Sequence, residues 1–340
     1  MNQKLKFNPQ TIIISGLIAI GIYLLFPKII GLPQTAKLLI KVNKFYIILA
    51  LGAEILSYGA AAWLLGIILS RLGHRVAFWI RFKIGSISAF AIHFFPLGTF
   101  GEGMIDYYFL KKQRVATGAI LLMLILRIIF TYAAFLLIFL YSLVLVPTTP
   151  HLPLSPKLIS LFLLCLIFIG VLYLFYSYKN KARFRVVWRR LISLANFFLR
   201  ISKKEIGKDQ ENSVFEKIYE GIGLFGAKKR SSILALLAGI FYWLGDVACF
   251  FFVFLSFGYR IDFGVLIFGY SAATLFGLIS FIPGGLGVTE ASLALIYSGM
   301  GVPSAIALMS ILVFRFFSFW IWIPFGLYSY LSLTRENENS

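Results

Sequence analysis

Residues 283–290 read Pro283-Gly284-Gly285-Leu286-Gly287-Val288-Thr289-Glu290, with apolar sequence on both sides, from Phe263 to Ile282 and from Ala291 onward. A glycine-rich turn is ordinary on a water-facing surface. In hydrocarbon, unpaired backbone N–H and C=O groups are not tolerated, so such a break survives only where protein encloses it or where it lines a polar cavity. The chain carries a second break, Pro96-Leu97-Gly98-Thr99-Phe100-Gly101-Glu102. Each break closes on a glutamate, and each glutamate is followed 25 residues later by an arginine inside an apolar run, Glu102 by Arg127 and Glu290 by Arg315. Ala119 and Ala307 align at the same offset of 188. These correspondences predict a divergent internal repeat.

The composition sets the solvent. Of 340 residues, 60% are hydrophobic and 13% charged, and the mean hydropathy is +0.90. A soluble domain has roughly 45–50% apolar and about 25% charged residues, so the chain reads as an all-α integral membrane protein, a single membrane domain over 1–340. The net charge of +19 is assigned to cytoplasmic loops and anionic lipid headgroups, with no role for nucleic acid. Cys165 and Cys249 read as packing residues in apolar runs. His74, His93 and His151 are too scattered for a metal site, although His93, just before the first break, is placed to line a cavity. No metal and no cofactor is expected.

About six spanning helices and two re-entrant Pro/Gly-broken hairpins are predicted. Ile12 to Phe26, after Lys4 and Lys6, lacks a small-residue cleavage site and reads as an uncleaved first helix. Phe45 to Leu69 spans and carries Glu54. Ile84 to Phe95 holds only twelve residues before the first break, against about 20 needed to cross. Glu102 to Leu110 is shorter still and runs into Lys111-Lys112-Gln113-Arg114. Basic residues at both ends predict a segment that dips in and returns, with Thr99 and Glu102 forming a capping box at its turn. Val115 to Val146 spans with Arg127 inside, and Leu158 to Tyr178 returns.

Residues 179–230 then hold fourteen Lys or Arg against five Asp or Glu, the strongest cytoplasmic mark in the chain. Phe184, Val187, Trp188, Leu191, Ala195 and Phe198 recur there at helical spacing opposite Arg185, Arg189, Arg190 and Arg200, which predicts an amphipathic helix suited to an anionic leaflet or to solvent. Ile233 to Phe257 spans with Asp246 near its middle. Phe263 to Ile282 enters the second break, Ala291 to Gly299 leaves it, and Val302 to Leu333 spans with Arg315 inside. Counted from a cytoplasmic N-terminus, the first hairpin opens inside, the second outside, and the C-terminus returns to the cytoplasm of a cell-membrane protein. Lys28, Lys37, Lys41 and Lys44 oppose that orientation, but the 179–230 block outweighs them.

The halves, 5–146 and 157–335, thus each contain a mid-membrane acid, a broken hairpin and a mid-membrane arginine, in opposite orientation. Inverted repeats with broken helices near the midplane are a transporter pattern. Gly98, Gly101, Gly284, Gly285 and Gly287 let backbone approach a ligand, and half-helices starting near Glu102 and Glu290 aim N–H groups at it. Arg127 and Arg315 are the groups suited to grip a phosphate, and each is also positioned to form a fixed ion pair with its glutamate. Glu54, Asp106 and Asp246 are candidates for coupling.

The stretch Phe281-Ile282-Pro283-Gly284-Gly285-Leu286-Gly287, through Glu290 to Arg315, resembles the transmembrane, flippase-like region of lysylphosphatidylglycerol synthases. Pro96 to Glu102 resembles that family's first-half motif, and the likeness covers about residues 5 to 335. It implies movement of aminoacylated phosphatidylglycerol between leaflets. After Leu333 only a short tail remains, so a stand-alone member without the soluble aminoacyl-transferring domain is expected, and the lipid itself stays open. The favoured expectation is a flippase for a phosphate-bearing or polyisoprenyl-linked lipid, working with membrane lipids, with a lipid-synthesising enzyme as a candidate partner. A membrane-embedded glycosyl or aminoacyl transferase component is the alternative, with Glu102 and Asp106 on one helical face as a cation site. It lacks an Asp-x-Asp motif, a Ser/His/Asp grouping and a nucleotide-binding domain. A non-transporting scaffold docking through 179–230 is the third reading.

Overall fold

A computed structural model of the chain describes residues 42–92, 98–145, 176–200, 208–227, 229–280 and 282–336, with individual positions between 158 and 173. Its elements are helices throughout, with no strand among the described residues. Four are long and apolar enough to cross a membrane: α1 (Lys44–Arg71), α4 (Thr117–Leu145), α7 (Lys229–Ser256) and the continuous run Ser304–Arg335. At about 1.5 Å per residue each exceeds a core of roughly 30 Å. The predicted first helix and Lys28, Lys37 and Lys41 lie outside the described residues, and the predicted span 158–178 is described only at individual positions before residue 176.

Between these run shorter helices. In the first half α2 (Phe78–Ile92) and α3 (Gly98–Lys112) have 15 residues each and pack on one another. In the second, α8 (Phe263–Ile279) and α9 (Val288–Gly299) have 17 and 12 and do the same. None reaches the length a crossing requires. Residues 93–97, with His93 and Pro96, lie outside the described set. Thr99, expected at the N-cap, falls inside the first turn because α3 begins at Gly98, and the Glu102 carboxylate turns to Arg127.

The long helices share their length between two apolar cores. The C-terminal half of α1 and the N-terminal halves of α4 and α7 enclose α2 and α3 around Leu64, Ile68, Ile84, Phe109 and Met123. The other halves enclose α8, α9 and α10 (Ser304–Arg315) around Phe139, Phe250, Phe254, Phe268 and Tyr297. The two short-helix pairs therefore pack at opposite ends of a common α1/α4/α7 bundle. Glycine sets the closest approach within it. A Cβ on Gly245 of α7 would lie 2.6 Å from Ser57 Cβ and 2.8 Å from Ser57 Cα of α1, so only hydrogen at that position lets the helices close, as small residues do at membrane helix contacts.

The basic block forms α5 (Lys181–Arg200) and α6 (Lys208–Ala227). The first turns of the apolar face of α5 rest on protein: the Phe184 and Trp188 rings lie 5.9 and 6.3 Å from that of Phe215, which is 1% exposed. Lys181 and Arg185 clasp Glu216 at 2.6 and 2.5 Å, while Arg189 and Arg190 stay exposed. The sequence pattern identifies an apolar face without saying what covers it, and α6 supplies the cover. Cys249 is buried as expected, whereas Cys165 is exposed on the protein surface.

Candidate functional site

The second break folds into a 3-10 turn at Pro283–Gly285, with Gly284 and Gly285 at φ +61° and +62° and Gly287 at +82°. Those left-handed angles explain the glycines, since a Cβ there opposes the carbonyl. Gly287 caps α9, and its N–H donates to Glu290 Oε2 at 2.7 Å, the glutamate half of a capping box. The other oxygen, Oε1, accepts from Arg315 Nε at 2.5 Å, and Arg315 Nη2 donates to the Gly284 carbonyl at 2.8 Å. One guanidinium thus ties the break to the last long helix. Directly after Arg315 the helix loosens into a π turn, Phe316–Trp320, which sets the Phe319 ring 4.8 Å from the guanidinium carbon. The final helix, α11 (Trp322–Glu336), follows.

In the first half the acid end is heavier. Arg127 on α4 pairs with Glu102 through Nη2 and with Asp106 Oδ2 through Nη1 at 2.5 Å, and Ser88 on α2 donates to Asp106 Oδ1 at 2.8 Å. The i, i+4 spacing does put Glu102 and Asp106 on one face of α3, but what they share is a guanidinium. That arrangement fills the seat the transferase reading gave to a divalent cation, and no group of three or more metal-ligating side chains occurs among the described residues.

Both pairs adjoin one cavity of about 410 Å³. Glu102, Arg127, Asp246, Gly284, Gly285 and Arg315, all singled out in the sequence, line it. Glu290 stands behind Arg315, Asp106 behind Arg127, and Gly287 at the α9 cap. Gly98 and Gly101 belong to α3, and their surroundings are outside the described set. Glu54 is 1% exposed, in electrostatic reach of Asp246, with its Oε2 lacking a hydrogen-bond partner among the described residues.

Other lining groups stand out less in the sequence. Tyr242, Tyr270, Thr131, Thr274 and Ser318 sit in apolar runs where hydroxyl residues are unremarkable. One of them shapes Asp246, Tyr270, which donates to its Oδ2 at 2.8 Å; Ser57, which packs under Gly245 outside the lining, lies 2.8 Å from its Oδ1. Polar groups buried in a bundle interior need such partners. A sequence search for hydroxyls one helical turn from a mid-membrane acid finds Ser57 and Tyr58 beside Glu54 and Tyr242 beside Asp246; only tertiary contact finds Tyr270 and puts Ser57 against Asp246.

Long apolar helices around a polar, ion-paired cavity define a polytopic membrane protein. Comparison with known proteins gives the family: the chain matches the lysylphosphatidylglycerol synthase TM region over residues 12–326 and belongs to that family. Among relatives, a UPF0104 membrane protein of Pyrococcus horikoshii is 25% identical over 86% of this chain and 88% of its own length. One of Methanocaldococcus jannaschii is 22% identical over 98% and 97%. One of Methanothermobacter thermautotrophicus is 30% identical over 37% of this chain, and that match spans only 40% of the relative.

Proposed function

We propose that the protein moves a phosphate-bearing or polyisoprenyl-linked lipid between the leaflets of the cell membrane, with the cavity opening to one side and then the other. The observation that carries this reading is that both break-associated arginines and the backbone of the second break meet in a single cavity between two oppositely placed short-helix pairs. Its volume falls within the roughly 300–1,000 Å³ of small-molecule sites, enough for a headgroup whose chains remain in lipid. A guanidinium carries five N–H groups, and Arg315 uses two, on Glu290 and Gly284. Donors remain for a phosphate without breaking the pair. Halves 5–146 and 157–335 in inverted orientation supply the two alternative openings, with both termini cytoplasmic under the basic 179–230 block.

The test uses phosphatidylcholine proteoliposomes carrying fluorescently labelled phosphatidylglycerol and reads the labelled fraction that reaches the opposite leaflet. Arg315→Ala and Glu290→Ala are each expected to bring translocation to the protein-free rate while the protein stays folded by circular dichroism. Undiminished translocation in both refutes the proposal.

A further inference from the structure

Ser57 Oγ on α1 lies at the same 2.8 Å from two oxygens, the Tyr242 backbone oxygen and Asp246 Oδ1. A serine hydroxyl has one hydrogen and two lone pairs, so it cannot donate to both. Tyr270 meanwhile donates to Asp246 Oδ2 at 2.8 Å. Two assignments satisfy every atom, since the Tyr242 carbonyl also holds its helical bond within α7: Ser57 donates to an ionised Oδ1, or Asp246 carries a proton on Oδ1 and donates it to Ser57 Oγ, whose own hydrogen goes to the Tyr242 carbonyl. When that proton leaves, the Ser57 hydroxyl turns to Oδ1, and the carboxylate keeps two donors, Ser57 and Tyr270. The same three residues therefore hold either protonation state without moving a helix.

The charges around Asp246 favour this exchange. Glu54 and Tyr58 face it from α1, Tyr242 and Cys249 share its helix, Tyr270 comes from α8, and Arg315 from α10 is in electrostatic reach. Arg315 is bonded to Glu290, and Arg127 to Glu102 and Asp106. Neither guanidinium is hydrogen-bonded to Asp246 or Glu54. Two carboxylates in a bundle interior without a bonded counter-ion among the described residues are costly as anions, and a proton removes that cost. Asp246 also lines the cavity, which gives the proton a route.

We propose that Asp246 is a proton-binding site of the cavity, with Ser57 as its relay, and that lipid movement is coupled to the proton it takes up and releases. The coupling rests on the transport reading above. An anionic phosphate at Arg315 and a negative charge on Asp246 oppose one another across the same cavity, so phosphate binding favours the protonated acid. By linkage, protonation favours phosphate to the same degree. In the step itself one O–H bond forms at Oδ1, with a proton from the water on the side to which the cavity is open. That bond breaks when the cavity faces the other side and the lipid has left, and the proton passes to water on that side.

Two measurements test the proposal. In phosphatidylcholine nanodiscs, infrared difference spectra between H2O and D2O are expected to show a protonated-carboxyl band that Asp246→Asn removes and Ser57→Ala shifts. A band unchanged in Asp246→Asn overturns the proton site, and one unmoved by Ser57→Ala overturns the relay. Ser57→Ala keeps the test decisive should Asp246→Asn fail to fold. In the proteoliposome assay, the ratio of labelled phosphatidylglycerol translocation with an imposed pH gradient to that without is expected to exceed one in the wild type and to fall to one in Asp246→Asn. A wild-type ratio of one, with the infrared band present, overturns the coupling. Absence of translocation under every condition refutes the transport reading and the coupling with it, and the infrared result then decides the proton site alone.

Discussion

Breaking the Glu290–Arg315 pair and removing it whole are expected to have different consequences. Each side chain is 11% exposed, and Glu290 is committed on both oxygens, to Arg315 and to the Gly287 N–H. Arg315→Met leaves that carboxylate nearly buried without its cation and strips the Gly284 carbonyl of a donor. Glu290→Gln keeps an acceptor for Gly287 but leaves the guanidinium uncompensated. Breaking a buried pair costs about 3–5 kcal/mol. Because Arg315 adjoins the cavity, where water screens it, about 3 kcal/mol is expected for each single change, or roughly a hundredfold in the folding equilibrium. The double change buries two neutral groups and is expected to cost about 2–3 kcal/mol less than the sum of the singles. Reversible unfolding in mixed micelles, followed by tryptophan fluorescence, measures all three variants. If the single costs simply add, the two side chains do not stabilise one another and the pairing argument is refuted.

Three further outcomes follow from local geometry. Gly284→Ala is expected to destabilise more than Gly287→Ala: both positions have positive φ, worth about 1–2 kcal/mol against a Cβ, but only at Gly284 would that carbon meet a side chain, 2.4 Å from Phe319 Cε2. Equal midpoints in thermal unfolding would contradict this. Gly245→Val is expected to cost about 1–3 kcal/mol by prising α1 from α7, read from the same unfolding, and a neutral result would mean the helices are not held at that point. Glu216 is held below the ordinary glutamate range by its hydrogen bond from Lys181 and by the charges of Lys181 and Arg185. A depressed acid stabilises the fold above its unfolded value and stops doing so as pH falls through its folded value. Hydrogen-exchange protection of α5, corrected for intrinsic rates, should therefore drop on acidification below the glutamate range, and added salt should weaken it at neutral pH. Glu216→Gln should show the reduced protection at every pH, and a wild type insensitive to acid would contradict the assignment.

The membrane class, the long helices and the second break were legible because they depend on composition and local backbone chemistry. Lengths of apolar runs and the positions of proline and glycine act within a few residues of themselves. The 25-residue glutamate-to-arginine spacing also proved a usable guide to ion pairs, since a charge inside an apolar run must find its opposite. It did not disclose Asp106 as the second acid on Arg127, because the i, i+4 spacing to Glu102 says which face the acids share and not what faces them.

What the amino-acid sequence by itself determined is therefore the solvent of the chain, the class of its elements and the residues that pay a cost for being where they are. Tertiary structure alone decided that Arg127 and Arg315, 188 residues apart, share one cavity, that Ser57 and Tyr270 hold Asp246, and that α6 covers part of the apolar face of α5. The reason is physical: helix formation is a matter of neighbours along the chain, whereas the rotation and partner of each helix are set by packing. At Gly245 the missing Cβ lets α1 close on α7 and brings Ser57 to Asp246, a contact that no spacing along the chain encodes.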